Sequence, residues 1–591
     1  MSYTVVETQE EVLGKAYDAR LMRRLLGYLR PYRRSVFWAI VCLVAGSGLS
    51  SIQPYLAGFA IDHYIQNDDA AGLTRIAAVY VLTLILVFVF GFLQMWLINI
   101  MGQKIMYDLR MQLVRHLHKM DVAFFDRNPV GRLMTRVTSD VDALNELFTS
   151  GVISVFEDVC KLAVIMVVLF VLNYKLALAV FSILPLLVLA TLLFKIKVRD
   201  SFRKVRTALA RINAFLQENI TGTAVVQIFG QQKKQFLRFT SINGEYLDAN
   251  LLSIFYHALF IPLLQFISAL AIALIVWYGG IQELSGALTI GTLVAFIQYS
   301  ERFFRPISDL SEKYTILQSA MAASERIFKL LDDGPAVVSP EKPAADSVNK
   351  GSIEFRNVHF SYNPGEPVIQ DVSFRVEPGE RVAIVGATGA GKSTIISLLN
   401  RFYDVQRGEI LLDDINVTDF DLQGLRSSIG VVLQDIFLFS GSVSENIRLG
   451  NPGITDGRIR QAAETVHAAN FIRKLNRQYD TEIGERGSSL SVGQKQLLAF
   501  ARALAYDPKI LVLDEATSSI DTETELLIQD ALEKLLKGRT SIIIAHRLST
   551  IQNADRIIVL HRGRIKETGT HQELLRLKGI YWKLYQLQYQ E

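Results

Sequence analysis

Gly386-Ala-Thr-Gly-Ala-Gly-Lys-Ser-Thr394 is the stretch on which the reading of this chain turns. It fits G-x-x-x-x-G-K-[ST], the pattern of a phosphate-binding loop. Gly386, Gly389 and Gly391, with Ala387, Thr388 and Ala390 between them, let the backbone curl and point N–H groups at phosphate oxygens. Lys392 sets a positive charge at the β- and γ-phosphates, the Ser393 hydroxyl can ligate Mg²⁺, and Thr394 closes the motif. The flanks agree. A β-branched run, Arg381–Val385, precedes the loop, and a helical pattern, Ile395–Leu399, follows it. The loop therefore opens a helix N-terminus, which is itself an anion site.

Further residues extend the nucleotide reading. The buried-strand pattern Ile510–Leu513 ends in Asp514 and Glu515. A carboxylate at such a strand end can hold Mg²⁺, and its neighbour can take a proton from attacking water. The strand pattern Ser541–Ala545 ends in His546, which can hydrogen-bond the γ-phosphate. Gln434 follows the apolar run Ile429–Leu433 and can orient water or complete a metal shell. Tyr362, in HFSYNPG upstream of the loop, can stack on adenine. Singly, each of these residues is as readily a helix cap or a structural polar group.

Outside this region the composition changes. The 591 residues are enough for two to four domains, and half of them are hydrophobic, above what a soluble enzyme of this size carries. A net charge of +4 gives no basic footprint for nucleic acid. Cys42 and Cys160 lie far apart in apolar stretches and make a poor disulfide framework. The opening MSYTVVETQEEV is polar, unlike a signal-peptide core. Residues 35–61 and 76–103 contain no charged side chain. A bilayer core needs about 20 apolar residues per helix, and a central charge costs roughly 2.5–3.5 kcal/mol. Six spans are expected, near 35–61, 76–101, 150–173, 176–196, 251–279 and 286–307.

Lys and Arg cluster before span one and after spans two and four, which places both termini and everything after span six in the cytoplasm. Leu21, Met22, Leu25, Leu26 and Leu29 share one helical face before Pro31, the pattern of an elbow helix at the inner leaflet. The polar stretches 104–149 and 197–248 read as helical extensions of the spans. Within them FFDRNPVGRLMTRVTSD (124–140) and ENITGTAVVQIFG (218–230) suit short crosswise helices that dock on another domain. The expected division is a membrane domain over 1–332, a proline-rich linker over 333–350, and an α/β domain with a largely parallel sheet over 351–591.

The order of motifs then carries a resemblance. Tyr362, GATGAGKST, Gln434, LSVGQ (490–494), ILVLDE (510–515), SSID (518–521) and His546 follow one another as in the nucleotide domain of ATP-binding cassette (ABC) proteins. LSVGQ resembles the family signature, SSID its D-loop, and TEIGERG (481–487) the X-loop of exporters. Six spans fused ahead of one cassette is the layout of an ABC exporter half-transporter, and the pattern is most similar to MdlB-like multidrug exporter subunits. The resemblance implies a polytopic α-helical membrane domain of the exporter type followed by an α/β P-loop ATPase. It implies two chains sandwiching two ATP and Mg²⁺, each phosphate loop closed by the other chain's signature. In that arrangement Ser491, Gly493 and Gln494 face the partner's ATP, Asp521 lies at the dimer contact, and Lys392, Glu515 and His546 serve hydrolysis. The implied cargo is a hydrophobic or amphipathic small molecule, drug or lipid, exported across the cytoplasmic membrane.

One position departs from the family. Its usual signature is LSGGQ, and the third residue here is Val492. Val adds bulk where Gly permits positive φ or close approach. Two consequences stay open: a tolerated variation in a homodimer, or a heterodimer with unequal ATP sites. A soluble repair or translation ATPase conflicts with the six spans, an importer separates membrane and ATPase chains, and an ATP-gated channel or regulatory subunit is a further alternative. No cysteine-protease domain is expected ahead of span one. Gln94, Asn99, Tyr256, His257 and Gln265 either line a transport cavity or bond neighbouring helices, and Glu157, Asp158 and Lys161 bind cargo, satisfy one another or face water.

Overall fold

The computed structural model describes residues 18–514, 522–544 and 551–589. Glu515, the D-loop with Asp521, and His546 lie outside the described residues. The chain forms two compact units. One takes the chain up to His118 together with Val130–Asp333, and the other takes Lys119–Pro129 together with Gly334–Glu591.

The first unit is helical. Its elements are α1 (Ala19–Gly27), α2 (Arg33–Ala60), α3 (Ala70–Leu117), α5 (Val130–Val137), α6 (Ser139–Glu146), α7 (Val152–Leu172), α8 (Tyr174–Phe181), α9 (Leu184–Thr221), α10 (Thr223–Ile228), α11 (Gln232–Leu274), α12 (Gly280–Leu284) and α13 (Ile290–Asp332), while α4 (Val122–Arg127) belongs to the second unit. Among the described residues, Arg30–Ile65, Ala70–Leu117, Tyr174–Phe194 and Gln232–Leu284 are long and apolar enough to cross a membrane. The third and sixth expected spans fall on α7 and the first half of α13, and both carry charge: Glu157, Asp158 and Lys161 in one, Glu301, Arg302 and Arg305 in the other.

The charges whose contacts are described have partners within the helices. Pro54 has no N–H, so the Ser50 carbonyl one turn earlier loses its helical donor. The Arg302 guanidinium of α13 donates to that carbonyl and, at 3.1 Å, to Gln53 Oε1. One turn away the Tyr299 hydroxyl donates to Ser51 O at 2.5 Å. Lys161 binds Glu157 at 2.5 Å within α7, and Lys313 of α13 pairs with Asp158. One turn further along α2, a Cβ on Gly291 would sit 2.0 Å from Gly58 O, so the backbones of α2 and α13 touch there. Asp62 then caps α13, accepting from Gly291 N at 2.7 Å and Thr289 Oγ1 at 2.6 Å.

The elbow segment forms α1, N-capped by Asp18, which accepts from Arg20 N at 2.7 Å. Met22 and Leu25 are buried, and Arg24 makes a two-pronged bond of 2.7 Å to each oxygen of Asp332 while lying 4.2 Å above the Phe328 ring. Part of the apolar face is therefore spent on α13, and Leu26 stays outward-facing.

The second unit is α/β. A six-stranded sheet has the order β12-β11-β3-β10-β9-β6, in which β3 (Arg381–Val385), β6 (Ile429–Val432), β9 (Ile510–Asp514), β10 (Thr540–Ile544) and β11 (Arg556–His561) are parallel and β12 (Arg564–Gly569) is an antiparallel edge. Its five parallel strands are mostly Val, Ile and Leu because both faces are covered. Val385, Leu511, Leu513 and Ile543 go to one core, and Val382, Ile384, Val512 and Ile542 to the other. An antiparallel sheet of order β2-β1-β4-β5 is built from β1 (Ile353–Phe360), β2 (Ile369–Val376), β4 (Arg407–Leu412) and β5 (Ile415–Asn416). A short pair joins β7 (Gly441–Ser442) to β8 (Glu482–Ile483).

Candidate nucleotide site

Parallel strands send their C-terminal ends to one edge of a sheet, where ligands of open α/β folds bind. Ile544 of β10 lies level with Ile384 of β3 on one side and Asp514 of β9 on the other. The phosphate loop leaving β3 and the acidic end of β9 therefore share an edge. Ser393 Oγ donates to Asp514 Oδ2 at 3.3 Å.

The loop has the shape its composition demands. Gly391 has φ +102° at the start of helix Lys392–Leu399, and a Cβ there would lie 2.7 Å from Ile369 Cδ1. Ala387, Thr388 and Gly389 are exposed at the tip, Ala390 is buried beneath it, and Gly386 lies against Leu560 O. Lys392 is buried and folds back, donating to Gly386 O at 2.7 Å and Ala387 O at 3.1 Å. Burial pushes its ammonium below the ordinary lysine range, and the Asp514 carboxylate opposes that shift. The Tyr362 hydroxyl donates to Thr394 Oγ1 at 3.2 Å, which sets its ring beside the loop. Gln434 is exposed two residues past β6.

The LSVGQ segment starts a helix, Val492–Tyr506. Ser491 and Gln494 form a capping box, Ser491 Oγ accepting from Gln494 N at 3.3 Å and Gln494 Oε1 accepting from Ser491 N at 3.0 Å. Gly493 is buried. Val492 is half exposed at the first helical position and is not among the residues with positive φ. Backbone strain is thus not what Val brings here; it adds an isopropyl group to the open N-terminal rim of the helix.

Comparison with known proteins gives this geometry its family. The family model of the ABC transporter transmembrane region matches residues 36–307, and that of the ABC transporter matches 369–518. The chain belongs to the ABC exporters. It is 40% identical to the ABC transporter ATP-binding protein YknV of Bacillus subtilis, over 98% of this chain and 97% of that one. It is 36% identical to an ATP-dependent lipid A-core flippase of Syntrophus aciditrophicus, over 97% and 95%. It is 37% identical to a Staphylococcus aureus protein named for multidrug export, over 96% and 100%. A bacterial Atm1-family ABC exporter solved with ATP bound superposes with a TM-score of 0.78 at 31% identity, covering 95% of this chain and 99% of that one. The layout is a helical transmembrane domain followed by an ABC ATPase domain in one chain, a half-transporter whose ATP hydrolysis is coupled to transport.

Within the exporter's ATPase unit the X-loop is tied to the signature helix, because Lys495 Nζ donates to Arg486 O at 2.9 Å. Several contributors were not legible from motifs. Arg502 donates to Asn446 O at 2.9 Å and to Phe437 O at 3.3 Å. Asn446 in turn clasps Phe439 through bonds of 2.9 and 2.8 Å, so the segment after Gln434 is anchored to the signature helix. Tyr403 packs edge-on against Tyr362 at 5.1 Å and hydrogen-bonds Asp126 on α4. Only the FFDR sequence before Asn128-Pro129 hinted at that docking. In the membrane unit, Gln94 and Asn99 line one cavity, whereas His257 packs edge-on against Phe194 and Phe202. Tyr256 and Gln265 are not among that cavity's lining.

Proposed function

We propose that this chain is one half of a dimeric pump of the cytoplasmic membrane that exports hydrophobic or amphipathic small molecules by alternating access. The observation that carries the reading is that one chain holds both halves of a composite ATP site. The phosphate loop is assembled with Asp514, and a fully capped signature helix presents exposed Ser491 and Val492 at an open N-terminus. In the proposed assembly Tyr362 stacks on adenine, Gly386–Thr394 hold the phosphates, and Lys392 leaves its two carbonyls for phosphate oxygens. Glu515 takes the proton of the attacking water, and His546 and Gln434 order the γ-phosphate and the water. Ser491, Gly493 and Gln494 close on the partner's ATP, beside Asp521. Exposed Val225, Ile228 and Phe229 on and after α10 support a second chain as the surface they dock on.

Mg²⁺ fits this chain. Ser393 and Asp514 offer hard oxygen donors side by side, and Mg²⁺ is usually held by one or two such groups plus substrate phosphates and water. Among the described residues no three His, Cys, Asp or Glu gather as a self-sufficient metal cage.

We favour a heterodimer with unequal sites, because Val492 narrows the signature this chain lends to its partner while its own loop and Asp514 are intact. A homodimeric lipid flippase is the second reading, supported by the similarity to the lipid A-core flippase. Co-expression with a partner half-transporter and Glu515→Gln test the proposal. The variant should retain ATP binding and lose turnover by roughly 100-fold or more. Unchanged ATPase would remove Glu515 from its role, and a homodimer of this chain alone with normal substrate-stimulated ATPase would end the unequal-site reading.

A further inference from the structure

A cavity of about 500 Å³ opens between α3, α7 and α13 of the membrane unit. That is within the roughly 300–1,000 Å³ of ordinary small-ligand pockets. Thr149 and Ser150 reach it from a π-helical turn, Leu147–Gly151, of the kind that often marks functional positions. Its wall carries one acid, Glu157, and one base, Lys313, from facing helices. Ser154 also lines it, and the Ser154 Oγ is buried with no hydrogen-bond partner. A buried hydroxyl without a partner costs free energy unless something else satisfies it.

The four charges around the cavity form two pairs. Glu157 holds Lys161 at 2.5 Å and accepts from Gln94 Nε2 at 3.2 Å, while Lys313 holds Asp158. Glu157 and Lys313 line the cavity, and Asp158 and Lys161 do not. Asp158 and Lys161 are three residues apart on α7, the spacing at which helical side chains meet. The pairs can therefore exchange without leaving a bare charge. A ligand cation takes Glu157, a ligand anion takes Lys313, and the released Lys161 and Asp158 pair with each other. A ligand with only one charge frees one side chain and strands another, which a poorly solvated site opposes.

We propose that this cavity binds the head of a zwitterionic amphiphile, its ammonium on Glu157 and its phosphate or carboxylate on Lys313, with Ser154 and Gln94 donating to the anion. This deepens the export reading by naming a cargo class, and binding itself does not require that reading to hold.

The test uses the full-length chain in nanodiscs of phosphatidylglycerol, which offer no competing zwitterion, with empty discs subtracted. Three probes share one fluorescent chain: lysophosphatidylethanolamine, lysophosphatidic acid and an alkylammonium. The zwitterion should bind about tenfold or more tightly than either probe of a single charge sign, and Glu157→Gln and Lys313→Met should each remove that preference. Ser154→Ala, which keeps the packing, should cost about threefold. If either charge variant fails to fold, Glu157→Asp, with a shorter reach, replaces it with the same expected loss. Competition by phosphoethanolamine supports the head-group chemistry and assigns a ligand without a chain, whereas bound lysolipid that phosphoethanolamine cannot displace supports it and assigns a lipid. Equal binding of the three probes, or unchanged preference in the variants, overturns the proposal. If the wild-type chain hydrolyses ATP in the same discs yet shows no preference, the cavity reading falls and the export reading stands.

Discussion

Tyr403 donates a hydrogen bond to Asp126, and through it a side chain touching the candidate adenine residue is bound to α4, the short helix that follows α3 in the chain. Burial and the Asp126 carboxylate hold the Tyr403 phenol protonated above its ordinary range, so it stays a donor across physiological pH. Tyr403→Phe keeps the ring against Tyr362 and removes the tether. ATP affinity should stay within about twofold, unfolding should lose about 1 kcal/mol, and substrate stimulation of ATPase should fall several-fold. Stimulation equal to wild type in proteoliposomes would show that the bond transmits nothing.

Lys392 donates to the Gly386 and Ala387 carbonyls, bonds that phosphate oxygens would replace in the proposed ATP complex. Lys392→Met should therefore leave unfolding without nucleotide within about 1 kcal/mol of wild type while abolishing the thermal shift produced by ATP. Scanning fluorimetry with and without Mg-ATP measures both, and a full ATP shift in the variant would contradict the role.

Asp413 accepts from four successive N–H groups, those of Asn349, Lys350, Gly351 and Ser352, at 2.7–2.9 Å. Burial raises its pKa, but these four bonds outweigh it and the folded value lies below the ordinary 3.8. A depressed carboxyl pKa contributes stability that is full above the unfolded value and is lost as pH falls through the folded one. Acid should thus erode this contribution only below about pH 4. Asp413→Asn should cost about 1–3 kcal/mol at pH 7 and flatten that acid limb. Denaturant melts at pH 7 and pH 3 give the comparison.

Val492 is helical and half exposed, so Val492→Gly relieves no strain and costs about 1 kcal/mol of helix propensity at most. If the isopropyl group obstructs closure over a partner's ATP, the glycine variant should raise the ATPase of the assembled dimer about twofold or more. A rate that is unchanged or lower would make Val492 neutral.

The cassette was readable because its chemistry is local. A nine-residue loop, a strand ending in Asp514 and a capped helix at Ser491 each declare themselves within a short window. The spans without charge were readable for the same reason. Charged α7 and α13 were harder, since Arg302 is acceptable there only because Pro54, about 250 residues away, vacates a carbonyl, and Asp158 only because Lys313 comes to meet it. Sequence left Glu157, Asp158 and Lys161 between binding cargo, satisfying one another and facing water; the structure pairs Glu157 with Lys161 but gives Asp158 to Lys313, with a cavity beside them. Val492 was legible as a departure, but its conformation was not. Glycine at that position permits positive φ without requiring it, and the Ser491–Gln494 box holds the residue after the cap in a helix.

The ATPase unit is not contiguous in sequence. Lys119–Pro129 belongs to it, and Asp121, buried there, accepts from Phe124 N at 2.8 Å and from Ala336 N at 2.5 Å, closing the excursion onto the start of the main segment. A single cut near Gly334 would release a cassette that lacks eleven of its own residues and exposes the seat they occupied. Swapping cassettes between exporters at that point would carry over the catalytic motifs while separating Tyr403 from the Asp126 it hydrogen-bonds, so the smallest exchangeable part of this transporter is two pieces of chain.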